Sequence, residues 1–151
     1  NAIAILLIAF MNLIRVPVNG LIKFVKAFCF SKNTLVKLQD GKKVKMKDLQ
    51  LGDILYNGSV VQAVMKVANV NDETFYKFKN KEGGKDIYVT GSHYVLNEKT
   101  NKFIQVKNHP DAILTNKKEK EFSCLVTSDH NIKIGGITFW DWEDDLINKN
   151  L

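Results

Sequence analysis

Residues 29–54 read CFSKNTLVKLQDGKKVKMKDLQLGDI, and this stretch decides the fold. Within it, residues 34–38 (TLVKL) form a short run of β-formers that ends at Asp40-Gly41, a dipeptide suited to a tight turn. Residues 45–49 are long enough for one helical turn and no more. Gly52-Asp53 then leads into the next short run, 53–56 (DILY). The same rhythm continues at 59–67, 74–79, 86–90, 93–96, 102–106, 122–127, 131–134 and 137–140. Turn signals separate the runs at Asn57-Gly58, Gly83-Gly84, 97–101 and Gly135-Gly136. Short strands at this spacing predict an all-β sandwich or barrel-like domain. Residues 107–121 carry seven charged side chains and His109-Pro110, and they read as a surface loop.

Upstream of Cys29 the pattern is different. Residues 2–14 are apolar except for Asn12. As a helix they would cover roughly 20 Å, short of a hydrocarbon core of about 30 Å. After Arg15 and Pro17, the apolar Val18, Leu21, Ile22 and Val25 fall at helical spacing, with Lys23 and Lys26 on the other face. A basic amphipathic helix of this kind suits a membrane surface, or the groove of a protein partner. The expected organisation is an apolar and amphipathic helical arm at 1–28, associated with a membrane, a compact β domain at 29–145, and a tail at 146–151.

The composition narrows the function classes. With 151 residues, 45% hydrophobic and 25% charged, the chain is an ordinary globular one, long enough to bury a core without a metal or disulfide framework. The net charge of +6 comes from 21 Lys and a single Arg against 16 acids. Nucleic-acid readers lean on Arg for bidentate and stacking contacts, so no nucleic-acid partner is expected. The three histidines, His93, His109 and His130, and the two cysteines, Cys29 and Cys124, form no zinc-ligand spacing. Neither a phosphate-binding glycine loop nor a GxSxG elbow is present. No metal and no small-molecule cofactor is expected.

Cys29 lies between Phe28 and Phe30, at the point where arm becomes domain. Two readings of it stay open on residue type alone: a small core hydrophobe, or a thiol nucleophile.

Three motifs in order resemble those of the Hint family, the self-processing modules of inteins and of hedgehog C-terminal domains. The first is Cys29 with the Thr34-led strand, Gly41 and Leu49-Gln50-Leu51-Gly52-Asp53. The second is Thr90-Gly91-Ser92-His93, similar to the family's Thr-x-x-His block. The third runs over 122–126, His130-Asn131-Ile132 and Gly135-Gly136, similar to its closing block. Together they cover about 29–142. The resemblance implies a Hint-type β fold and catalytic roles for Cys29, Thr90, His93 and His130. In it the Cys29 thiol attacks the Phe28 carbonyl in an N-to-S acyl shift. His93 supplies the proton that the departing nitrogen needs, and the Thr90 hydroxyl holds the carbonyl or orients His93.

The departures shape the expected activity. In register with the family's terminal His-Asn stand Trp140-Asp141, followed by Trp142 rather than a nucleophile. Ser123 replaces the closing block's acid, and residues 54–71 hold no carboxylate of the kind sterol transfer uses. The ending 139–144 (FWDWED) and the His109-Pro110-Asp111 loop resemble non-splicing Vint-like modules of large DNA viruses. The expectation is therefore self-cleavage of the Phe28–Cys29 bond without splicing. The alternative is an uncleaved Hint-fold structural protein, bound through residues 1–28 to a membrane or to neighbouring proteins of a virion. Oxidation could also join Cys29 to Cys124 and silence the nucleophile.

Overall fold

The computed structural model describes residues 28–142, so the expected helical arm at 1–27 and the tail after 142 lie outside the described residues. Among the described residues no helix is long and apolar enough to cross a membrane.

Twelve strands run in chain order: β1 Phe30–Ser31, β2 Leu35–Lys37, β3 Lys43–Lys45, β4 Val61–Ala68, β5 Tyr76–Phe78, β6 Ile87–Val89, β7 Tyr94–Asn97, β8 Lys102–Gln105, β9 Ile113–Leu114, β10 Glu121–Thr127, β11 Asn131–Ile134 and β12 Ile137–Trp140. Two single 3-10 turns, Met46–Asp48 and Val106–Asn108, complete the set, the first of them inside the segment expected to turn helically. Among the described residues every strand pairing is antiparallel. The strands form a six-stranded sheet in the order β4-β10-β1-β6-β5-β9, a four-stranded sheet β11-β12-β7-β8, and the hairpin β2-β3. Local chemistry explains the tight connections. Gly135-Gly136 joins β11 to β12 with φ of +59° and +79°, the left-handed pair that a two-residue hairpin with the twist of its strands requires.

The frame is β4 against β10. Their Val- and Met-rich runs pair from Glu121↔Ala68 to Thr127↔Val61, with a bulge between Val126 and Thr127. One core gathers Phe30, Phe78, Phe139, Ile132, Leu125 and Val95; a second gathers Cys29, Met65, Val67, Phe75, Phe122 and Cys124.

Several expected elements differ in detail. The run 53–56 contributes only isolated bridges, Leu38↔Leu55 and Ile54↔Val60. Strands β1 and β3, two and three residues long, fall outside the expected runs, because segments so short show no alternation to read. The supposed surface loop at 107–121 provides the edge strand β9, whose Ile113 and Leu114 pair through backbone while their side chains stay exposed. Its Glu119 carboxylate accepts a hydrogen bond from Ser31 Oγ at 2.9 Å and from Lys32 N at 3.2 Å, which pins the start of the domain.

Topology, rather than any one element, places the chemistry. Strand β1 opens the described chain yet lies inside the largest sheet, between β10 and β6, with Phe30 opposite Ser123 on one side and Val89 on the other. One step back along these registers, Cys29 stands between Cys124 and Thr90.

Candidate active site

Cys29, Thr90 and His93 come together at that point, all fully buried. Residues 90–93 form a turn in which His93 N donates to Thr90 O at 3.2 Å, which brings residues 90 and 93 close together. Thr90 is tied to Cys29 twice: Thr90 N donates to Cys29 O at 2.9 Å, and Cys29 N donates to Thr90 Oγ1 at 3.2 Å. The second bond matters for chemistry, because that N–H belongs to the Phe28–Cys29 peptide. The Thr90 hydroxyl therefore grips the amide nitrogen rather than the carbonyl.

Gly91 in the turn has a packing reason. A Cβ there would come within 2.7 Å of the Tyr76 ring, which packs against the core. Gly91→Ala is expected to cost about 1–3 kcal/mol, the usual cost of overpacking, as read from urea unfolding midpoints.

The His93 ring is clamped between Phe30 and Phe139, at centroid distances of 4.7 and 5.8 Å. Its Nε2 lies 2.6 Å from the carbonyl oxygen of Trp140. A carbonyl only accepts, so Nε2 carries the hydrogen. Burial pushes the His93 pKa down to about 4, against the pull of the Trp140 and Phe28 carbonyls, so the ring is neutral at pH 7. It follows that Nδ1 is a bare lone pair, and this buried atom makes no hydrogen bond. At rest, then, His93 is a neutral base, able to give a proton to a departing nitrogen once it has taken one up.

The Cys29 thiol is equally quiet at rest. Burial pushes its pKa up, reinforced by contact with the Cys124 side chain and by the nearby Glu73 charge. Both cysteines are buried free thiols. Cys124 also donates to the Phe28 carbonyl oxygen. Phe28 itself, half-buried, rests against Tyr94 and Trp142 at centroid distances of 6.0 and 5.7 Å. Phe28 thus packs onto the β domain.

Glu73 flanks the site. Burial raises its carboxyl pKa, opposed by the Gly91 backbone hydrogen bond. Its backbone is fastened by Asn69, which accepts from Glu73 N at 2.8 Å and donates to Glu73 O at 2.9 Å.

His130 occupies a different place. Its backbone is left-handed at φ +62°, its ring stacks on Trp140 at 5.2 Å, and its Nδ1 lies 3.1 Å from Asp141 Oδ2. Asp141 is buried and also accepts from Thr127 N at 2.8 Å. His130 stacks on Trp140, whose carbonyl oxygen meets His93 Nε2, and so it stands next to the cluster rather than in it.

Sequence reasoning misses the parts made of backbone or of long-range pairing. The Trp140 carbonyl has no side-chain signature. Cys124 stands out in the sequence only as a disulfide partner, because the register that sets it opposite Cys29 joins segments 95 positions apart. Glu73 lies two positions beyond the 54–71 window that lacks a carboxylate.

Among the described residues no group of acids, histidines and cysteines has the arrangement of a metal site. A surface groove of about 820 Å³ is lined by residues such as Lys37, Tyr56, Tyr88 and Lys117 and includes none of Cys29, Thr90 or His93.

No family model matches the chain, and no curated protein does. Solved structures do. The gp41-1 intein is 16% identical with a TM-score of 0.59, over 77% of this chain and all (100%) of that one. A DnaB intein from Synechocystis sp. PCC 6803 is 18% identical with a TM-score of 0.60, over 76% of this chain and 99% of that one. The Ssp DnaB mini-intein variant M86 is 18% identical with a TM-score of 0.58, over 77% of this chain and 96% of that one. The described domain therefore has the Hint fold seen in inteins.

Proposed function

We propose that the chain is a self-processing domain that breaks its own Phe28–Cys29 peptide bond by an N-to-S acyl shift, without splicing. One observation carries the reading: the amide to be cleaved is held by its nitrogen on Thr90 Oγ1 and by its carbonyl on the Cys124 thiol, beside a buried imidazole with a bare nitrogen.

The steps balance as follows. The proton of Cys29 Sγ passes to His93 Nδ1. The sulfur bonds to the Phe28 carbonyl carbon, and the C=O electron pair moves onto oxygen. On collapse the carbon–nitrogen bond breaks, and the Cys29 nitrogen takes the proton back from His93. A thioester and a free amine result. A preassembled geometry can supply about 7–11 kcal/mol of the barrier, which suits a resting site whose thiol and imidazole are both neutral. An added thiol or water then takes the acyl group and releases residues 1–28.

The absence of splicing is part of the proposal. Asp141 stands where the family has the cyclising asparagine, and it has no amide nitrogen to close a ring. Its carboxylate is held by Thr127 N and His130. The proposal places the domain among the non-splicing, Vint-like members of the fold, with residues 1–28 as a membrane-associated segment.

Dithiothreitol added to the purified full chain is expected to give two pieces divided at Phe28–Cys29, and the Cys29→Ala variant none, by intact mass. Equal yields from both would sink the proposal. A second reading is favoured by the raised Cys29 pKa and complete burial: an uncleaved structural protein of a membrane or virion. That reading expects no scission with either chain.

A further inference from the structure

We infer that Cys124 is a further catalytic residue of this site: its thiol is a hydrogen-bond donor to the Phe28 carbonyl oxygen, placed to hold that oxygen as it takes up negative charge. The inference rests on the acyl-shift reading above and assigns a part that neither Cys29, Thr90 nor His93 fills.

The geometry assembles from the sheet. Strand β10 sets Ser123 opposite Phe30 and Phe122 opposite Ser31, so the next position, Cys124, faces Cys29 across the ladder. Residues opposite one another in such a pair present their side chains on the same face. Cys124 therefore meets the scissile peptide from the sheet's own register, with no loop to adjust. On its other side β10 is paired along its whole length with β4, where Cys124 faces Met65. The thiol sits in an apolar cluster with Met65, Val67, Phe75 and Phe122, and it is fully buried. From there Sγ donates to Phe28 O.

The chemistry needs a donor at that oxygen. Attack by Cys29 Sγ turns a neutral carbonyl into an alkoxide inside a buried site. Thr90 Oγ1 is engaged with the amide nitrogen, and His93 Nδ1 carries no hydrogen at rest. A thiol is a weak donor in water. In a buried, preorganised place its bond strengthens as the acceptor gains charge. Cys124 forms no covalent bond in this role. Its proton stays on sulfur while the electron pair moves onto Phe28 O and returns on collapse.

The role is tested on the full reduced chain by the rate of dithiothreitol-dependent scission at Phe28–Cys29. Cys124→Ser keeps a donor and should stay within about threefold of wild type; Cys124→Ala removes it and should be about tenfold slower or more, below the loss of about 10²–10³ known for a strong oxyanion donor. An alanine variant as fast as wild type overturns the inference. So does a serine variant as slow as alanine, or a thioester branch found on Cys124 by peptide mass mapping. If the alanine variant does not fold, the Cys29→Ala full chain, which contains one thiol, decides by its S–H infrared stretch. A band shifted down from a free thiol supports the bond to Phe28 O, and a free-thiol band overturns it. No Cys29-dependent scission in wild type would instead overturn the acyl-shift reading itself, an outcome distinct from a failure confined to the Cys124 comparison.

Discussion

His93→Ala is expected to slow dithiothreitol-dependent scission at Phe28–Cys29 by about 10²–10⁴-fold, the range for losing a positioned acid–base group. The size follows from how little else at the site can move a proton. The Cys29 thiol is held neutral by burial, so attack requires an acceptor for its proton, and the departing nitrogen requires that proton back. Nδ1 of His93 is a bare, buried nitrogen, the Phe28 backbone lies near enough to act on the ring, and the Trp140 carbonyl fixes the tautomer that keeps Nδ1 bare. Removing the ring also leaves a hole between Phe30 and Phe139, so slower scission alone would not separate chemistry from packing. Added imidazole separates them. It should restore part of the rate to His93→Ala by entering the vacated space, with no effect on Cys29→Ala. A His93→Ala variant that folds, as judged by its thermal midpoint, and cleaves at the wild-type rate would remove His93 from the mechanism.

The second large effect is on stability in acid. His93 in the unfolded chain takes up a proton near its ordinary value of 6.5, and in the folded chain only near 4. Between those values the unfolded chain binds more protons, so acid favours unfolding. The stability that the neutral ring confers is complete above about pH 6.5 and disappears as pH falls toward 4, a loss of roughly 3 kcal/mol. His109, also lowered by burial, works in the same direction. Glu73, raised by burial, works the other way, since its folded form holds a proton more tightly. Urea unfolding at about pH 7 and about pH 4.5 measures the net fall, and NMR titration of the His93 ring assigns its share. A His93 ring that titrates near its ordinary 6.5 in the folded protein would contradict the buried, neutral state.

The candidate site is more legible in the sequence than the topology that builds it. Thr90 and His93 are three positions apart, so one turn suffices to bring them together, and the resemblance of 90–93 to the Thr-x-x-His block points to their chemistry. Cys29 can be placed beside them only by resemblance, because nothing local says that a two-residue strand at the start of the domain will enter the middle of a six-stranded sheet. Strand β9 is hidden by the charges around it, since its pairing uses backbone rather than a buried face. The same holds for the Trp140 carbonyl, which fixes the tautomer of His93 yet would be offered by any residue at that position. Cys124 is visible as a thiol, but its value depends on register, and register is a property of two distant strands.

The most direct test of the central chemistry is to treat the purified full chain with hydroxylamine at neutral pH and identify the new termini by mass spectrometry. The expected products are a fragment ending in a Phe28 hydroxamate and a fragment beginning with a free Cys29 amine. A chain that stays whole, or a hydroxamate at any residue other than Phe28, would contradict the acyl shift.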